Sequence, residues 1–364
     1  MPECAATLAV AARLSRHFRA AGAVPVHADI LQPAETLLDL YGEDIRARAY
    51  VTRDPLAGEM MLRPDFTVPV VQAHMTNGAE PARYTYEGPV FRKQEAPGAR
   101  AREYLQVGYE LFDRTDPALA DAEVFALIAS ALDGLPLRPV TGDIGLLRAA
   151  VAGLSLTDHR RAALMRHIWR PARFRALIER FTGRGPLAEA RAALTDRLRA
   201  ASAEALIAEA GPVIGLRSAD EITDRVATLL ADAETPPLPA AEVALMNAIL
   251  SVAMPSRAAL EHLRALDWSA LAPALERLAR RLDALDARGI DTATLPFEAS
   301  FGRSSMEYYD GFVFGFVAEG AGLPPVATGG RYDALTSVLG QGRAIPAVGG
   351  VIRPALVAAL EGAQ

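Results

Sequence analysis

The stretch FRKQEAPGARAREYLQVGYE, residues 91–110, decides the fold of this chain. It predicts two strands joined by a loop rich in Arg, Gly and Pro. From Arg102 onward the second strand alternates: one face carries Tyr104, Gln106, Gly108 and Glu110, and the other carries Leu105, Val107, Tyr109 and Leu111. An amide, a bare glycine and a carboxylate in a row are typical of a sheet on which a small polar ligand lies. The alternative is an ordinary sheet with one solvated face.

The composition is that of a soluble globular protein. Of the 364 residues, 51% are hydrophobic and 23% are charged, which fits one large domain or two to three ordinary ones. The formal net charge of −6 argues against broad nonspecific binding to nucleic acid.

Cysteine usage and hydropathy indicate a cytoplasmic protein. The single cysteine, Cys4, excludes an intrachain disulfide and fits a reducing compartment. No apolar run is long enough to cross a bilayer, and the N-terminus lacks the layout of a secretory signal, so we expect no membrane partner. The 6 histidines are scattered and match no metal-ligand spacing, so we also expect no metal site.

The chain divides into three parts by pattern. Residues 1–140 mix helices and strands, residues 141–290 are rich in Ala, Leu and Arg at helical spacing, and residues 291–364 return to strands. We interpret the middle part as a helical insertion whose charges are solvated helix faces. The predicted helices are Leu8–Ala20, Thr67–Thr76, Pro117–Leu132, Ala188–Leu206 and Leu271–Leu285, and a hairpin is predicted from Arg48–Arg53 and Glu59–Arg63.

The third part has a second alternating strand, predicted over Glu307–Val317. One face carries Tyr308, Phe312, Phe314 and Phe316, and the other carries Tyr309, Gly311, Val313 and Gly315. The segment ATGGRYDAL, residues 327–335, follows, and its pair Gly329 and Gly330 permits a bend or close approach of a ligand. Alone, this segment also fits a simple strand-to-helix turn with an Asp cap.

Four of these segments together resemble the catalytic core of histidyl-tRNA synthetase, a class II synthetase. They are LRPDFT (62–67), FRKQEAPGARAREYLQVGYE (91–110), MEYYDGFVF (306–314) and GGRYDAL (329–335). Their order is the family's order, and the helical insertion falls in the same gap. The resemblance implies an α+β fold, a class II aminoacyl-tRNA synthetase-like antiparallel sheet flanked by helices, and a dimer formed through the first motif.

The resemblance also implies a histidine pocket. Its residues are Asp65, Thr67, Arg92, Gln106, Glu110, Tyr309 and Tyr332. Asp65, Gln106 and Tyr332 offer acceptors to the ligand's ammonium, Glu110 and Tyr309 suit the two imidazole nitrogens, and Arg92 suits a carboxylate. Tyr308, which shares the Phe face, is assigned to the core. It stays a secondary candidate with Arg303, Gly329 and Gly330.

Departures from the family argue against catalysis. Gln94 stands where the second motif normally has a Glu that helps to hold ATP. Ala355 and Leu356 stand where motif 3 of the class II synthetases, near the end of the catalytic core, has a Glu-Arg pair. Arg353 lies three positions early. One extra residue puts Arg303 out of register, and the chain ends before an anticodon-binding domain. We therefore expect no catalytic residues, no cofactor and no binding of tRNA.

The combination resembles the regulatory subunits of ATP phosphoribosyltransferase, a paralogous family. That resemblance implies a non-catalytic chain that forms a homodimer within a hetero-oligomer, activates a short-form catalytic subunit and mediates feedback inhibition by L-histidine in histidine biosynthesis. The alternative is a truncated histidyl-tRNA synthetase or a histidine-activating adenylating enzyme. A nucleic-acid-binding module is a third class, supported only by Arg92, Arg100 and Arg102. The surface that meets the catalytic subunit stays open, and so does the reach of Asp65, which is one methylene shorter than the family's Glu.

Overall fold

A computed structural model describes residues 5–41, 45–94, 101–183, 188–212, 215–303, 308–320 and 322–363. Cys4, Arg100 and Glu307, named above, lie outside these ranges. The chain forms two compact units. The first comprises the residues up to Leu146 together with those from Ser251 onward, and the second is Leu147–Leu250.

The first unit contains two sheets. The strands are β1 (Val24–Pro25), β2 (Leu31–Pro33), β3 (Val51–Asp54), β4 (Gly58–Leu62), β5 (Ala82–Phe91), β6 (Glu103–Phe112), β7 (Leu137–Asp143), β8 (Ala253–Pro255), β9 (Pro296–Glu298), β10 (Phe312–Ala318), β11 (Ala327–Arg331) and β12 (Ala347–Ile352). The large sheet has the order β1-β5-β6-β12-β11-β10-β7-β9-β8, and the small one has the order β2-β4-β3. The expected antiparallel sheet is in fact mixed, because β1 runs parallel to β5 and β7 runs parallel to β9.

Helices flank the sheet and make up most of the second unit. They are α1 (Ala5–Ala20), α2 (Ala34–Tyr41), α3 (Ile45–Arg48), α4 (Thr67–Asn77), α5 (Pro117–Ala131), α6 (Ile144–Gly153), α7 (Asp158–Arg166), α8 (Pro171–Phe181), α9 (Ala188–Ala200), α10 (Ala203–Ala210), α11 (Ala219–Glu234), α12 (Ala240–Leu250), α13 (Ser256–Ala265), α14 (Ala272–Asp286), α15 (Asp333–Leu339) and α16 (Pro354–Glu361). The predicted helices are present, although Ala188–Leu206 is divided into α9 and α10. Among the described residues, none of these helices is both long and apolar enough to cross a membrane.

The predicted strand pair is present, although its first strand lies mostly before residue 91, and residues 95–100 of the predicted loop lie outside the described ranges. β5 and β6 pair antiparallel over their full lengths, from Phe91 opposite Glu103 to Ala82 opposite Phe112. The apolar face of β6 is buried, and the Tyr109 hydroxyl on that face donates to Glu123 of α5 at 2.8 Å. The predicted β3–β4 hairpin is also present.

The helical insertion is shorter than its pattern indicates, because it ends at Leu250 rather than near residue 290. β8 pairs with β9 at the edge of the large sheet, and Arg281 of α14 forms buried ion pairs with Asp121 and Asp143. The segment from Ser251 to residue 290 is therefore part of the first unit despite its helical composition. Within the second unit, a buried ion pair between Arg160 and Asp232, 2.5 Å long, joins α7 to α11.

The core of the first unit includes a cluster of phenylalanines. Phe125 of α5 packs on three rings of β10, at centroid distances of 6.2 Å to Phe312, 5.3 Å to Phe314 and 5.4 Å to Phe316. The predicted phenylalanine face of this strand is thus the face that contacts helix α5.

Phe125→Ala is expected to lower the free energy of unfolding by about 3–5 kcal/mol, because it removes apolar burial and leaves a cavity between α5 and β10. Chemical denaturation measures the change. Leu119→Ala, at a side chain on the same helix that is 48% exposed, is the matched control and should change the value by about 0.5 kcal/mol or less. Equal effects of the two substitutions would contradict this assignment of the core.

Candidate functional site

A cavity of about 620 Å³ opens in the first unit over the polar face of β6. All seven residues of the predicted pocket line it: Asp65, Thr67, Arg92, Gln106, Glu110, Tyr309 and Tyr332. Asp65 and Thr67 lie at the start of α4, Gln106 and Glu110 lie on β6, and the remaining three lie just beyond β5, before β10 and after β11. The structure therefore brings together residues that the sequence separates by more than 200 positions.

Glu110 is the central side chain of the cavity. Its carboxylate accepts hydrogen bonds from three hydroxyl groups, at 2.6 Å from Tyr332, 3.2 Å from Tyr86 and 3.2 Å from Thr67. Thr67 in turn accepts a hydrogen bond from the Tyr308 hydroxyl at 3.2 Å. Four segments of the chain are thereby connected through one buried carboxylate.

The ionisation of Glu110 is strongly perturbed. Burial raises the pKa of Glu110 to about 7, although the hydrogen bonds from Tyr332, Tyr86 and Thr67 act in the opposite direction. Burial, followed by the proximity of Glu110, also raises the pKa values of Tyr332 and Tyr86, so both hydroxyls remain donors. The charge of the cavity thus changes near neutral pH.

Glycines make room for this arrangement rather than for a ligand. A Cβ added to Gly349 would lie 1.4 Å from the Glu110 carboxylate, and one added to Gly108 would lie 2.1 Å from the Tyr86 ring. Gly349 is directly opposite Glu110 in the β6–β12 ladder, and Tyr86 is opposite Gly108 in the β5–β6 ladder. The interpretation of Gly108 as a place where a ligand approaches is therefore wrong, because the neighbouring tyrosine covers it.

The same correction applies to the glycines of the third part of the chain. The Tyr309 ring packs over Gly330, the Phe314 ring over Gly329, the Arg331 stem over Gly311, and the Phe301 ring over Gly315. Gly329 and Gly330 are not among the residues that line the cavity, and neither is Arg303, which is buried beside the lining residue Gly302.

Tyr308 corrects another expectation. The strand predicted from Glu307 begins only at Phe312, so Tyr308 does not share the face of the phenylalanines. It lines the cavity instead and donates its hydrogen bond to Thr67. Alternation placed Tyr308 in the core because the pattern was extended beyond the start of the strand.

Tyr86 is one of the pocket residues that the sequence analysis missed, together with Arg48 and Arg353. Its ring stacks on Phe66 at 4.3 Å with an interplanar angle of 9°, and its hydroxyl reaches Glu110. Pairing of the two strands at residues 82–112 places this large residue opposite Gly108, and that complementarity was the available indication.

Arginines line another part of the cavity. Arg48, Arg92 and Arg353 are all present there. Arg92 donates from Nε to the Pro64 carbonyl at 2.9 Å, and Arg353 donates to the Pro325 carbonyl with its guanidinium 5.9 Å from the Tyr104 ring centroid. The cavity thus combines acidic side chains with cationic ones, as a zwitterionic ligand requires. Within the described ranges, no group of three or more His, Cys, Asp or Glu side chains is arranged to hold a metal ion.

Comparison with known proteins identifies the fold and the family of this chain. The family model for histidyl-tRNA synthetase matches residues 1–235 and 217–355. A solved ATP phosphoribosyltransferase regulatory subunit/histidyl-tRNA synthetase from Bacillus halodurans C superposes with a TM-score of 0.68 at 21% identity, over 98% of this chain and 79% of that one. A histidyl-tRNA synthetase from Nostoc sp. PCC 7120 gives a TM-score of 0.62 at 16% identity, over 98% and 72%.

The fold is therefore that of the histidyl-tRNA synthetase-like class II proteins. Closer relatives narrow the class. An ATP phosphoribosyltransferase regulatory subunit of Mesorhizobium japonicum is 33% identical over 372 residues, covering 94% of each chain, and one of Brucella anthropi is 35% identical over 347 residues, covering 89% of each. The chain belongs to the family of ATP phosphoribosyltransferase regulatory subunits.

The raised pKa of Glu110 predicts a pH dependence of stability. Because the folded pKa, about 7, exceeds the ordinary 4.5, the folded state binds more protons between these values, and the free energy of unfolding falls as pH rises through this window. The contribution of Glu110 is about 3 kcal/mol over the window, at about 1.4 kcal/mol per pH unit. In chemical denaturation across this pH window, the free energy of unfolding should fall less steeply with pH in Glu110→Gln than in the parent. Identical slopes would contradict the assignment.

Proposed function

We propose that this chain is the non-catalytic regulatory subunit of an ATP phosphoribosyltransferase, which activates a short catalytic subunit and mediates feedback inhibition by L-histidine in histidine biosynthesis. Membership of the family supports the role, and the buried Glu110 in a cavity with acceptors and arginines supports the ligand. The hydrogen bonding of Glu110 is the observation that carries the proposal.

In its ionised form, Glu110 can accept one hydrogen bond from an imidazole N–H. A carboxylate offers about four lone-pair positions, and Tyr332, Tyr86 and Thr67 occupy three of them. A ring N–H in the fourth position fixes the tautomer, and a ligand without that donor leaves the buried carboxylate undersatisfied. In this proposal the Tyr309 hydroxyl meets the second ring nitrogen.

The rest of the cavity suits the backbone of an amino acid. Asp65 and Gln106 are acceptors for an ammonium group, and both are buried in the wall of the cavity. Arg92, which also lines the cavity, binds the carboxylate in this proposal, because a guanidinium forms two parallel hydrogen bonds with it. Neither contact requires ATP or a metal ion.

A non-catalytic role is supported by the residues at the positions where the resemblance to histidyl-tRNA synthetase implies ATP contacts. Gln94 donates from its side-chain amide to the Arg92 carbonyl at 3.3 Å, so its side chain is engaged by the protein. Ala355 and Leu356 lie in the first turn of α16 and provide no charge for a phosphate. Arg353, just before this helix, donates to Pro325.

Feedback follows if histidine binds the low-activity arrangement of the complex more tightly than the active one. Linkage then requires that substrates weaken histidine binding by the same factor. A difference of about 1–3 kcal/mol between the two arrangements gives roughly a 5- to 150-fold shift in affinity.

Reconstitution tests the role and the pocket together. The chain is mixed with a short-form catalytic subunit from the same source, and product formation is followed with and without L-histidine. We expect activation that histidine reverses. Glu110→Gln and Tyr309→Phe should each raise the histidine concentration needed for half inhibition at least tenfold, the effect of one lost hydrogen bond of about 1.4 kcal/mol, while activation survives.

The exposed Leu56→Ala, in the β3–β4 turn, is the control and should keep full histidine sensitivity. Activation with unchanged sensitivity in both pocket variants would remove the pocket assignment. Absence of activation would remove the regulatory role.

A histidine-activating adenylating enzyme is the second candidate. The three arginines of the cavity, Arg48, Arg92 and Arg353, favour it, because guanidinium groups also bind phosphates. Histidine-dependent exchange between ATP and pyrophosphate would establish this activity, and no exchange above the level without histidine would remove it. Absence of tRNA binding is likewise part of our proposal, and a gel shift at physiological salt tests it.

We also propose a homodimer within the hetero-oligomer. The small sheet has an apolar patch where β2 begins and β4 ends: Ile30, just before β2, is 42% exposed, Leu31 is 43% exposed, and the half-buried Leu62 is paired with Leu31. An acidic residue in a dimer interface leaves an unpaired charge, so Leu31→Asp should shift the dimer to monomer in analytical ultracentrifugation. Leu56→Asp, at a side chain that is 99% exposed, should remain dimeric. A dimer that tolerates Leu31→Asp would contradict this interface.

A further inference from the structure

A row of buried side chains of alternating charge, here called the ion chain, extends from the neighbours of Tyr332 into the core of the first unit. Its members, in spatial order, are Asp333, Arg331, Asp121, Arg281 and Asp143. The successive ion-pair distances are 2.9, 2.8, 3.3 and 2.6 Å. The four inner side chains are each at most 8% exposed, and Asp333, at the outer end, is 38% exposed.

The ion chain holds both residues that flank Tyr332. Arg331, which precedes it, donates to Asp121, to Asp333 and to the Pro117 carbonyl at 2.8 to 2.9 Å. Asp333, which follows it, accepts from Arg331 and from the Ala347 amide at 2.9 Å. The backbone on either side of Tyr332 is therefore tied to β12 and to the start of α5.

The ion chain also continues to the segment that carries Tyr309. The Asp310 carboxylate accepts from the amides of Asp333 and Ala334 at 3.1 and 2.7 Å, and its own amide donates to the Arg331 carbonyl at 3.0 Å. The Arg331 stem crosses directly over Gly311, where a Cβ would lie 3.0 Å from Arg331 Cδ. Tyr309 and Tyr332 are thus each next in sequence to a residue that Arg331 holds in place.

We infer that this ion chain positions the Tyr332 hydroxyl on Glu110, so that Asp121 and Asp143 are positioning residues of the ligand pocket although neither lines it. The inference deepens the proposed function, because it names residues that set the state of the proposed histidine site. Buried ion pairs contribute little to stability compared with apolar packing, but they restrict the orientation of the groups they join. The 2.6 Å hydrogen bond from Tyr332 to Glu110 depends on that orientation.

The charge of Glu110 reports the position of Tyr332. The titratable groups that act on Glu110 are Tyr332, Tyr86, Tyr309 and Asp65, and Arg92 acts in turn on Tyr309. The Tyr332 hydrogen bond favours the carboxylate, so loss of that bond raises the titration midpoint of Glu110. Asp121→Asn removes a negative charge, and its direct electrostatic effect therefore lowers the midpoint. Loss of positioning and the direct electrostatic effect of Asp121→Asn therefore predict shifts of the Glu110 midpoint in opposite directions.

The experiment is an infrared titration of the full chain without ligand. The carboxyl band of protonated Glu110 is identified by its absence in Glu110→Gln, and its midpoint is measured in the parent, Asp121→Asn, Tyr332→Phe and the double variant. We expect Tyr332→Phe to raise the midpoint by about one to two pH units, the effect of one hydrogen bond to a charged group. Asp121→Asn should also raise it, and the double variant should rise no further than Tyr332→Phe alone.

A lowered or unchanged midpoint in Asp121→Asn would overturn the inference. If Asp121→Asn does not fold, Asp143→Asn decides in the same way, since Asn retains the ability to cap α6, where Leu146 donates to Asp143. Asp232→Asn, which breaks the buried pair with Arg160 in the second unit, is the matched control and should lower stability without moving the midpoint.

Histidine titration by calorimetry on the same samples separates the two proposals. Failure of the parent to bind histidine at any pH would overturn the histidine site, while the infrared midpoints would still decide whether the ion chain positions Tyr332.

Discussion

Burial of the Glu110 carboxyl group inside a β-sheet is the constraint that the rest of the pocket satisfies. A buried carboxyl without hydrogen-bond donors is costly, so three hydroxyls converge on it from α4, β5 and the residue after β11. The sheet also needs space for the carboxylate, and Gly349 on the neighbouring strand provides it. A substitution at any of these positions therefore changes the charge and shape of the cavity as a whole.

Alternation in the sequence was sufficient to predict the strand pair and the polar face of β6, whereas the other predicted pocket residues came from the resemblance of the motifs to a family. Period-two patterning fixes the face of each residue on a strand, and Gln106 and Glu110 lie on the predicted face. The resemblance of the motifs to a family then joined segments that are distant in sequence. Their assembly into one cavity is present in the structure, whereas their role in binding histidine remains a prediction.

The corrections arise from tertiary packing, which a single sequence does not display. Gly108 and Gly330 were interpreted as places for a ligand, but each lies under an aromatic ring from another segment. Tyr308 was assigned to the core because nothing in the alternation shows where a strand begins. Helical composition placed the end of the insertion near residue 290, yet α13 and α14 belong to the first unit through contacts distant in sequence.

Family membership and local chemistry lead to one account. The class II synthetase-like sheet has a polar cavity with a protonatable carboxyl group. Gln94 and the start of α16 lack the charged groups that the synthetase motifs use for ATP. In our proposal, a pocket that once prepared histidine for a reaction now serves as a sensor. Its output is the difference in histidine affinity between two arrangements of a complex, which is a purely thermodynamic quantity.

The most direct measurement of this account is nuclear magnetic resonance of ring-¹⁵N-labelled L-histidine bound to the full chain. The account predicts a single bound tautomer whose ring N–H is shifted far from its free position, and loss of that shift in Glu110→Gln. Ring resonances that remain at their free positions in the presence of excess parent protein would contradict the central claim, that Glu110 holds the imidazole of histidine.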